Sequence, residues 1–169
     1  MALIPTLRAD CSKCAALCCV AFAFDKGEDF AIDKPPHVAC DKLNNTFLCS
    51  IHANLSDEGF SGCARYDCLG AGQRVTQEVF GGQNWRDAPR LVAPMSDAFA
   101  VLRQIHRDLE LLLAARALPL PAGKLTELDA LIQDLAPDDG WSTDTLVEFA
   151  VSPTPKRVIA FLRGLSEHV

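Results

Sequence analysis

Residues 11–20 read CSKCAALCCV and place four cysteines within nine positions near the start of the chain. All eight cysteines of the sequence lie in its first 68 residues: Cys11, Cys14, Cys18, Cys19, Cys40, Cys49, Cys63 and Cys68. The chain therefore divides into a cysteine-rich part and a cysteine-free part. Cysteines this close together form disulfides, bind a metal or act as a reactive pair.

Composition limits the classes of protein to consider. The 169 residues are 49% hydrophobic and 22% charged, which is typical of a globular protein that can bury a core. The net charge is -6 and no basic run occurs, so we expect no nucleic-acid partner. The longest apolar run, LELLLAARALPL, is too short to span a bilayer, and the N-terminus lacks the pattern of a secretory signal. We expect a cytoplasmic protein without membrane contact.

A cytoplasmic location bears on the use of the cysteines. Disulfides are uncommon in a reducing compartment, where closely spaced cysteines more often bind metal or do redox chemistry. The segments between the cysteines are short and separated by turn formers such as DKGED and DKPPH, with at most a hairpin in FAFDKGEDFAI and a short strand in TFLCSI. Such pieces bury too little to fold alone and need a staple. The sequence therefore favours metal binding over four disulfides.

Hydrophobic periodicity predicts helices in the rest of the chain. We expect a long helix that Ser96 caps and that ends before Pro119, and a shorter one with Thr126 and Asp129 as a capping box. Two more are predicted in TDTLVEFAV and SPTPKRVIAFLRGL, and a further one at about residues 66–80. The predicted fold is mainly α: an irregular, metal-stapled subdomain over residues 1–90, packed on a small helical bundle over residues 91–169.

The cysteine spacings are those of metal ligands. Two residues between Cys11 and Cys14 let one turn of backbone aim both sulfurs at one ion, and Cys18 follows one helical turn later. Neighbouring side chains point in different directions, so one of Cys18 and Cys19 belongs to a first site. The other serves a second site or is a buried thiol. His52, in CSIH, is a candidate nitrogen ligand.

The metal is zinc or iron. Mixed thiolate and imidazole ligands suit zinc, whereas the C-x2-C-x3-C triplet is close to the spacing that cubane iron–sulfur clusters use. Eight sulfurs fill two four-ligand sites, or one site with four left over. We favour zinc, with an iron–sulfur cluster as the alternative.

A family resemblance points the same way. The motifs CSKCAALCC, PPHVAC, CSIH and GFSGC resemble the zinc- or iron-chelating domain family with the C-x2-C-x3-CC signature (YkgJ-like). Residues 8–87 are similar to the N-terminal region of bacterial pentapeptide-repeat proteins, although this chain has no such repeats. The resemblance implies a metal-chelating domain. The ligands it implies are Cys11, Cys14, Cys18 or Cys19, Cys40, Cys49 and Cys63, with Cys68 as a further candidate and His52 inside a matching motif.

Other residues receive plainer interpretations. His106 falls among the polar positions of the long helix and is expected to be solvated. The small residues of GAGQ, residues 70–73, are expected to let a helix approach the cysteine subdomain closely. Tyr66, Trp85 and Arg86 line a pocket or belong to the core, and we favour the core.

Two functional classes remain. The first is a metal-binding module with a structural, sensing or metal-handling role, which docks on a partner protein through its helical half. The alternative is a small metalloenzyme or iron–sulfur enzyme with one open coordination position on its metal. No catalytic residue can be named from the sequence.

Overall fold

The structure is a computed structural model, and it describes residues 4–165. Seven α-helices occur in this part of the chain: α1 (Leu17–Ala21), α2 (Ser61–Arg65), α3 (Ala71–Arg74), α4 (Val92–Ala115), α5 (Ala122–Leu135), α6 (Thr143–Val151) and α7 (Thr154–Arg163). A π-helical turn over Val75–Val79 extends α3, and 3-10 turns lie at Cys11–Lys13, His52–Asn54 and Pro89–Leu91. The prediction of a mainly helical protein is confirmed.

Helix α4 is the centre of the molecule. It is 24 residues long, and α1, α3, α5, α6 and α7 all contact it. Leu102, Ile105, Leu109 and Leu112 are fully buried, at spacings of three and four that align them on one face of the helix. Polar residues fill the opposite face only in part, because neighbours cover α4 on more than one side.

The cysteine-rich part has almost no regular structure between its short helices. No strand forms within residues 4–165, and two isolated antiparallel bridges are present, Phe24 with Lys34 and Leu43 with Cys49. The segment predicted to be a hairpin is thus a loop closed by two hydrogen bonds of 2.8 Å between Phe24 and Lys34. The turn formers between these residues leave no room for a longer ladder.

Two predicted helix starts are wrong. Helix α4 begins at Val92, so Ser96 lies inside it and donates its hydroxyl to the Val92 carbonyl at 2.7 Å instead of capping the helix. Helix α5 begins at Ala122, and the Thr126 hydroxyl likewise donates back to the carbonyl one turn earlier. In both cases the helix continues through its first-turn residues, and the hydroxyl bonds the preceding turn. The helix over Thr143–Val151 is confirmed, with Ser142 in a capping box.

One hydrophobic core joins the two parts of the chain. It contains Leu17 and Val20 of α1 together with Phe99 of α4 and Phe161 of α7. A second, small core consists of Phe24, Cys40 and Phe60. The division into residues 1–90 and 91–169 remains a prediction. None of the helices in residues 4–165 is long and apolar enough to cross a membrane.

The two leucines at positions 109 and 111 of α4 provide a matched test of this packing. Leu109 is fully buried and Leu111 is 45% exposed. Leu109→Ala is expected to lower the free energy of unfolding by about 2–5 kcal/mol, because it leaves a cavity in the core. Leu111→Ala is expected to lower it by less than about 1 kcal/mol. Urea unfolding followed by circular dichroism measures both, and equal losses would contradict the placement of the core.

Candidate metal centre

All eight cysteines and His52 line one cavity of about 660 Å³, which we name the cysteine cavity. They reach it from separate segments of the chain: the turn at residues 11–14, helix α1, the loops that carry Cys40 and Cys49, helix α2 and the short loop between α2 and α3 that carries Cys68. All eight are free thiols. The nine residues selected as ligands from their spacing are therefore neighbours in space.

The side chains surround this cavity without converging on one point. Within residues 4–165, no three or more Cys, His, Asp or Glu side chains are grouped closely enough to hold a metal ion as they stand. Zinc needs its thiolates at about 2.3 Å. The donor set fits a thiolate-bound metal in its chemistry and its shared cavity, and the side chains would have to rotate to bring the sulfurs together around an ion.

Helix α3 and its π-helical extension hold the first cysteine turn in place. Gln73 accepts a hydrogen bond from the Asp10 N–H at 2.5 Å, and Thr76 accepts one from the Ala15 N–H at 3.0 Å. Gln77 donates to the Lys13 carbonyl at 2.8 Å. These three polar side chains recur at spacings of three and one along one helix and bond main-chain groups on both sides of Cys11 and Cys14. Sequence reasoning missed this role, although the polar spacing in QRVTQ was a usable signal.

Gly72 allows the close approach of Cys14 to α3. A Cβ atom at this position would lie 2.6 Å from the Cys14 Sγ, well inside van der Waals contact. The expectation that the small residues of GAGQ permit close packing is therefore confirmed. Gly70 has φ of +77°, and a Cβ atom there would lie 2.7 Å from the Thr6 carbonyl oxygen, so the start of α3 lies directly against the N-terminal segment.

The opposite wall of the cavity is built from loops. The Cys40 N–H donates to the Cys19 carbonyl at 3.0 Å, and Leu43, paired with Cys49 in a bridge, donates its N–H to the Cys40 carbonyl at 3.1 Å. Cys63 lies in α2 and packs with Cys19 against the small core. These contacts bring Cys19, Cys40, Cys49 and Cys63 to the same side of the cavity.

Backbone strain accompanies the cysteines. Four non-glycine residues in the described part of the chain have positive φ: Ala16, His37, Phe47 and Leu69. Each lies within three positions of a cysteine that lines the cavity. A left-handed non-glycine residue costs about 1–2 kcal/mol, and such strain persists where surrounding interactions offset it.

Burial makes the thiols of Cys14, Cys18 and Cys63 poor nucleophiles. It raises the pKa of Cys14 to about 12 and that of Cys63 to about 11. A contact with Cys19, whose Sγ lies 3.9 Å from that of Cys18, and burial raise the pKa of Cys18 as well. These three thiols are therefore protonated at neutral pH and react slowly as nucleophiles. Metal binding would displace these protons.

A buried lysine lies beside the cysteines, although no pattern in the sequence predicts its burial. Lys34 is 4% exposed, and its ammonium donates to the carbonyls of Val38 at 2.8 Å and Pro35 at 3.1 Å. Burial lowers its pKa, whereas the thiolates of Cys40, Cys19 and Cys18 act in the opposite direction. The ammonium therefore supplies positive charge next to a group of thiols whose metal-bound form is anionic.

The histidines occupy three different environments. His52 is exposed at the rim, where the cysteine cavity adjoins a shallower cavity of about 520 Å³. His37 is exposed in a turn and does not line the cysteine cavity. The expectation that His106 is solvated is wrong, because this side chain is fully buried. Its Nδ1 lies 2.5 Å from the Leu69 carbonyl and its Nε2 lies 3.1 Å from an Arg74 nitrogen.

Of the three residues considered for a pocket, Trp85 belongs to the core, Arg86 is partly buried beside it, and Tyr66 lies at the cavity. Trp85 is buried and donates its indole N–H to the Ala15 carbonyl at 2.6 Å. Arg86 stacks over Phe47, 4.4 Å from the ring centroid, and donates to the Asn44 carbonyl. Tyr66, in contrast, lines the cysteine cavity and packs edge-on against Phe22.

Comparison with known proteins gives one informative match. The chain is 35% identical over 163 residues to the uncharacterized protein YybG of Bacillus subtilis (strain 168). The alignment covers 96% of this chain and 58% of the relative, so the chain spans little more than half the length of the curated protein it matches. No protein-family model and no solved structure matches the chain.

The contact between Gly72 and Cys14 can be tested with a matched pair of glycine substitutions. Gly72→Ala places a methyl group against the Cys14 sulfur and is expected to lower the free energy of unfolding by about 1–3 kcal/mol through overpacking. Gly123→Ala is the control, because nothing lies within 4 Å of a Cβ there. Its effect should not exceed about 1 kcal/mol. Urea unfolding measures both, and an unaffected Gly72→Ala protein would contradict the close approach.

The buried His106 predicts a pH dependence of stability. Burial lowers the pKa of His106 to about 4, with Arg74 and Arg103 acting in the same direction. The unfolded chain, with a histidine pKa of about 6.5, binds the proton more readily than the folded one. The contribution of neutral His106 to the free energy of unfolding is therefore complete above pH ~6.5, and it falls by up to about 3 kcal/mol as the pH approaches 4.

Comparison with His106→Gln isolates this effect from other titrations. Urea unfolding of both proteins at several pH values gives the difference in free energy. The wild-type protein should lose more stability than the variant on acidification. Parallel pH profiles would show that His106 does not stay neutral in the folded protein.

Proposed function

We propose that this chain is a metal-binding protein and that its metal is held in the cysteine cavity. The observation that supports the proposal is that all eight thiols and His52, carried by separate segments, line one cavity. Thiols buried without a metal would be an inert core feature, but a core gains nothing from placing eight of them around one volume. Thiolates are the preferred ligands of zinc and of iron–sulfur clusters.

Zinc is the metal that we propose first. The proposed ligands are the thiols, with His52 as a nitrogen donor at the rim, and this mixed set suits zinc. Strained residues next to the cysteines and the buried Lys34 ammonium are both consistent with a site whose binding energy offsets local costs. Bound zinc supplies a fixed crosslink between loops that have little other structure.

An iron–sulfur cluster is the second candidate. Aromatic side chains share the cavity wall with the thiols, among them Phe22, Phe24, Phe30 and Phe60. Apolar walls shield a cluster from solvent, and a volume of about 660 Å³ exceeds the needs of a single zinc ion. A cluster would favour the alternative function, a small enzyme with an open coordination position.

With zinc as its metal, the protein would be a binding module rather than an enzyme. The metal would fix the cysteine-rich part against α4, and the protein would serve a structural, sensing or metal-handling role. A partner protein would dock on the helical half, where Val147 and Val151 of α6 are 66% and 83% exposed. The resemblance to chelating domains agrees with this proposal and remains a prediction.

Metal analysis of the full chain, purified without oxygen, tests the proposal. We expect stoichiometric zinc and no visible absorption, and we expect Cys63→Ser to bind less metal because it removes one thiol from the cavity. His37→Ala is the control, since His37 is exposed and does not line the cavity. Brown protein with iron and acid-labile sulfide would replace zinc by the cluster. Wild-type protein without metal would refute the proposed function.

A further inference from the structure

The orientation of the adjacent residues Cys18 and Cys19 divides the cysteine cavity. Cys18 packs against the main hydrophobic core, whereas Cys19 packs against the small core of Phe24, Cys40 and Phe60. The two sulfurs are nevertheless only 3.9 Å apart. One short helix thus presents a thiol to each of two neighbouring regions.

The other cysteines on the side of Cys18 belong to the wall formed by α3 and α4. Cys14 and Cys68 pack against the main core as Cys18 does, and the Cys14 sulfur lies against Gly72. Cys11 is in the same turn as Cys14, whose N–H donates to the Cys11 carbonyl at 3.3 Å.

The remaining cysteines surround Cys19. Cys40 belongs to the small core, Cys63 packs against it, and the Cys40 N–H bonds the Cys19 carbonyl. Cys49 is tied to the Cys40 loop through its bridge with Leu43. The two sides of the cavity are contiguous, because the sulfurs of Cys18 and Cys19 lie 3.9 Å apart.

We infer that the cysteine cavity contains two separate four-thiol metal sites that meet at the Cys18–Cys19 pair. The first site consists of Cys11, Cys14, Cys18 and Cys68, and the second of Cys19, Cys40, Cys49 and Cys63. The inference rests on the proposed metal binding and adds the number of centres and the ligands of each. It assigns both members of the Cys18–Cys19 pair and leaves His52 as an additional donor beside Cys49.

Charge distinguishes the two sites. Four thiolates around a divalent ion carry a net charge of about -2, which is costly to bury without compensation. The buried Lys34 ammonium lies over the Phe24 ring of the small core and donates to the carbonyl of Val38, two residues before Cys40, on the side of the second site. The first site includes the exposed Cys11, so water can screen it. Each group therefore has its own means of tolerating negative charge.

Native mass spectrometry of the full chain, purified without oxygen, counts bound centres whatever the metal. We expect two centres in the wild-type protein. The double variant Cys14→Ser/Cys68→Ser removes two ligands of one site and should keep one centre. The double variant Cys14→Ser/Cys40→Ser also removes two thiols but takes one from each site, and it should keep none. Lys13→Ala, a change between Cys11 and Cys14 that removes no thiol, should keep both centres.

The outcomes separate this inference from the proposed function. A single centre in the wild-type protein would overturn the division into two sites and leave metal binding intact, and this count does not depend on any variant. No bound metal would refute both. If the wild type holds two centres but the same-site double variant loses both while its helical circular dichroism is retained, the assignment of ligands is wrong.

Discussion

The hydrogen bonds between α3 and the first cysteine turn are the constraint on which the cysteine cavity depends. Gln73, Thr76 and Gln77 bond main-chain groups at residues 10–15, and Gly72 lets the Cys14 sulfur lie against the helix. Helix α3 is in turn packed on α4. The helical core therefore fixes the position of Cys11 and Cys14 without a bound metal. For a metal to be shared with them, the loops that carry Cys40 and Cys49 would have to move toward these two residues.

The buried polar groups next to this contact extend it to α4. His106 bonds the carbonyl of Leu69, the left-handed residue that follows Cys68, and its other ring nitrogen lies near Arg74 of α3. A neutral imidazole satisfies both partners, and burial keeps it neutral. The strain at Leu69 is thus held by a side chain of the central helix. The wall of the cavity that α3 and the first cysteine turn form is therefore held in place by its packing against α4.

Sequence reasoning reached the helices and the residues of the cavity but not how they are held. Thr143–Val151 was predicted with its bounds from the segment TDTLVEFAV, whereas Ser96 and Thr126 misled because a hydroxyl can bond the preceding turn as readily as it caps. The cysteine spacing selected the residues that line the cavity. Lys34 and His106 were missed because burial of a charged or polar side chain depends on tertiary packing, which no local pattern encodes.

Through the Cys18–Cys19 pair, the first proposed site would strengthen metal binding at the second, which keeps its own four thiols. Helix α1 has five residues, too few to be stable in isolation, so its orientation is set by what its side chains contact. Ligation of Cys18 in the first site would fix α1 and with it the direction of Cys19, one residue away. The second site, built from loops, would then bind metal with less ordering still to be done. We therefore expect the site on the helical wall to bind metal first, and the loops that carry the second site to close around metal afterwards.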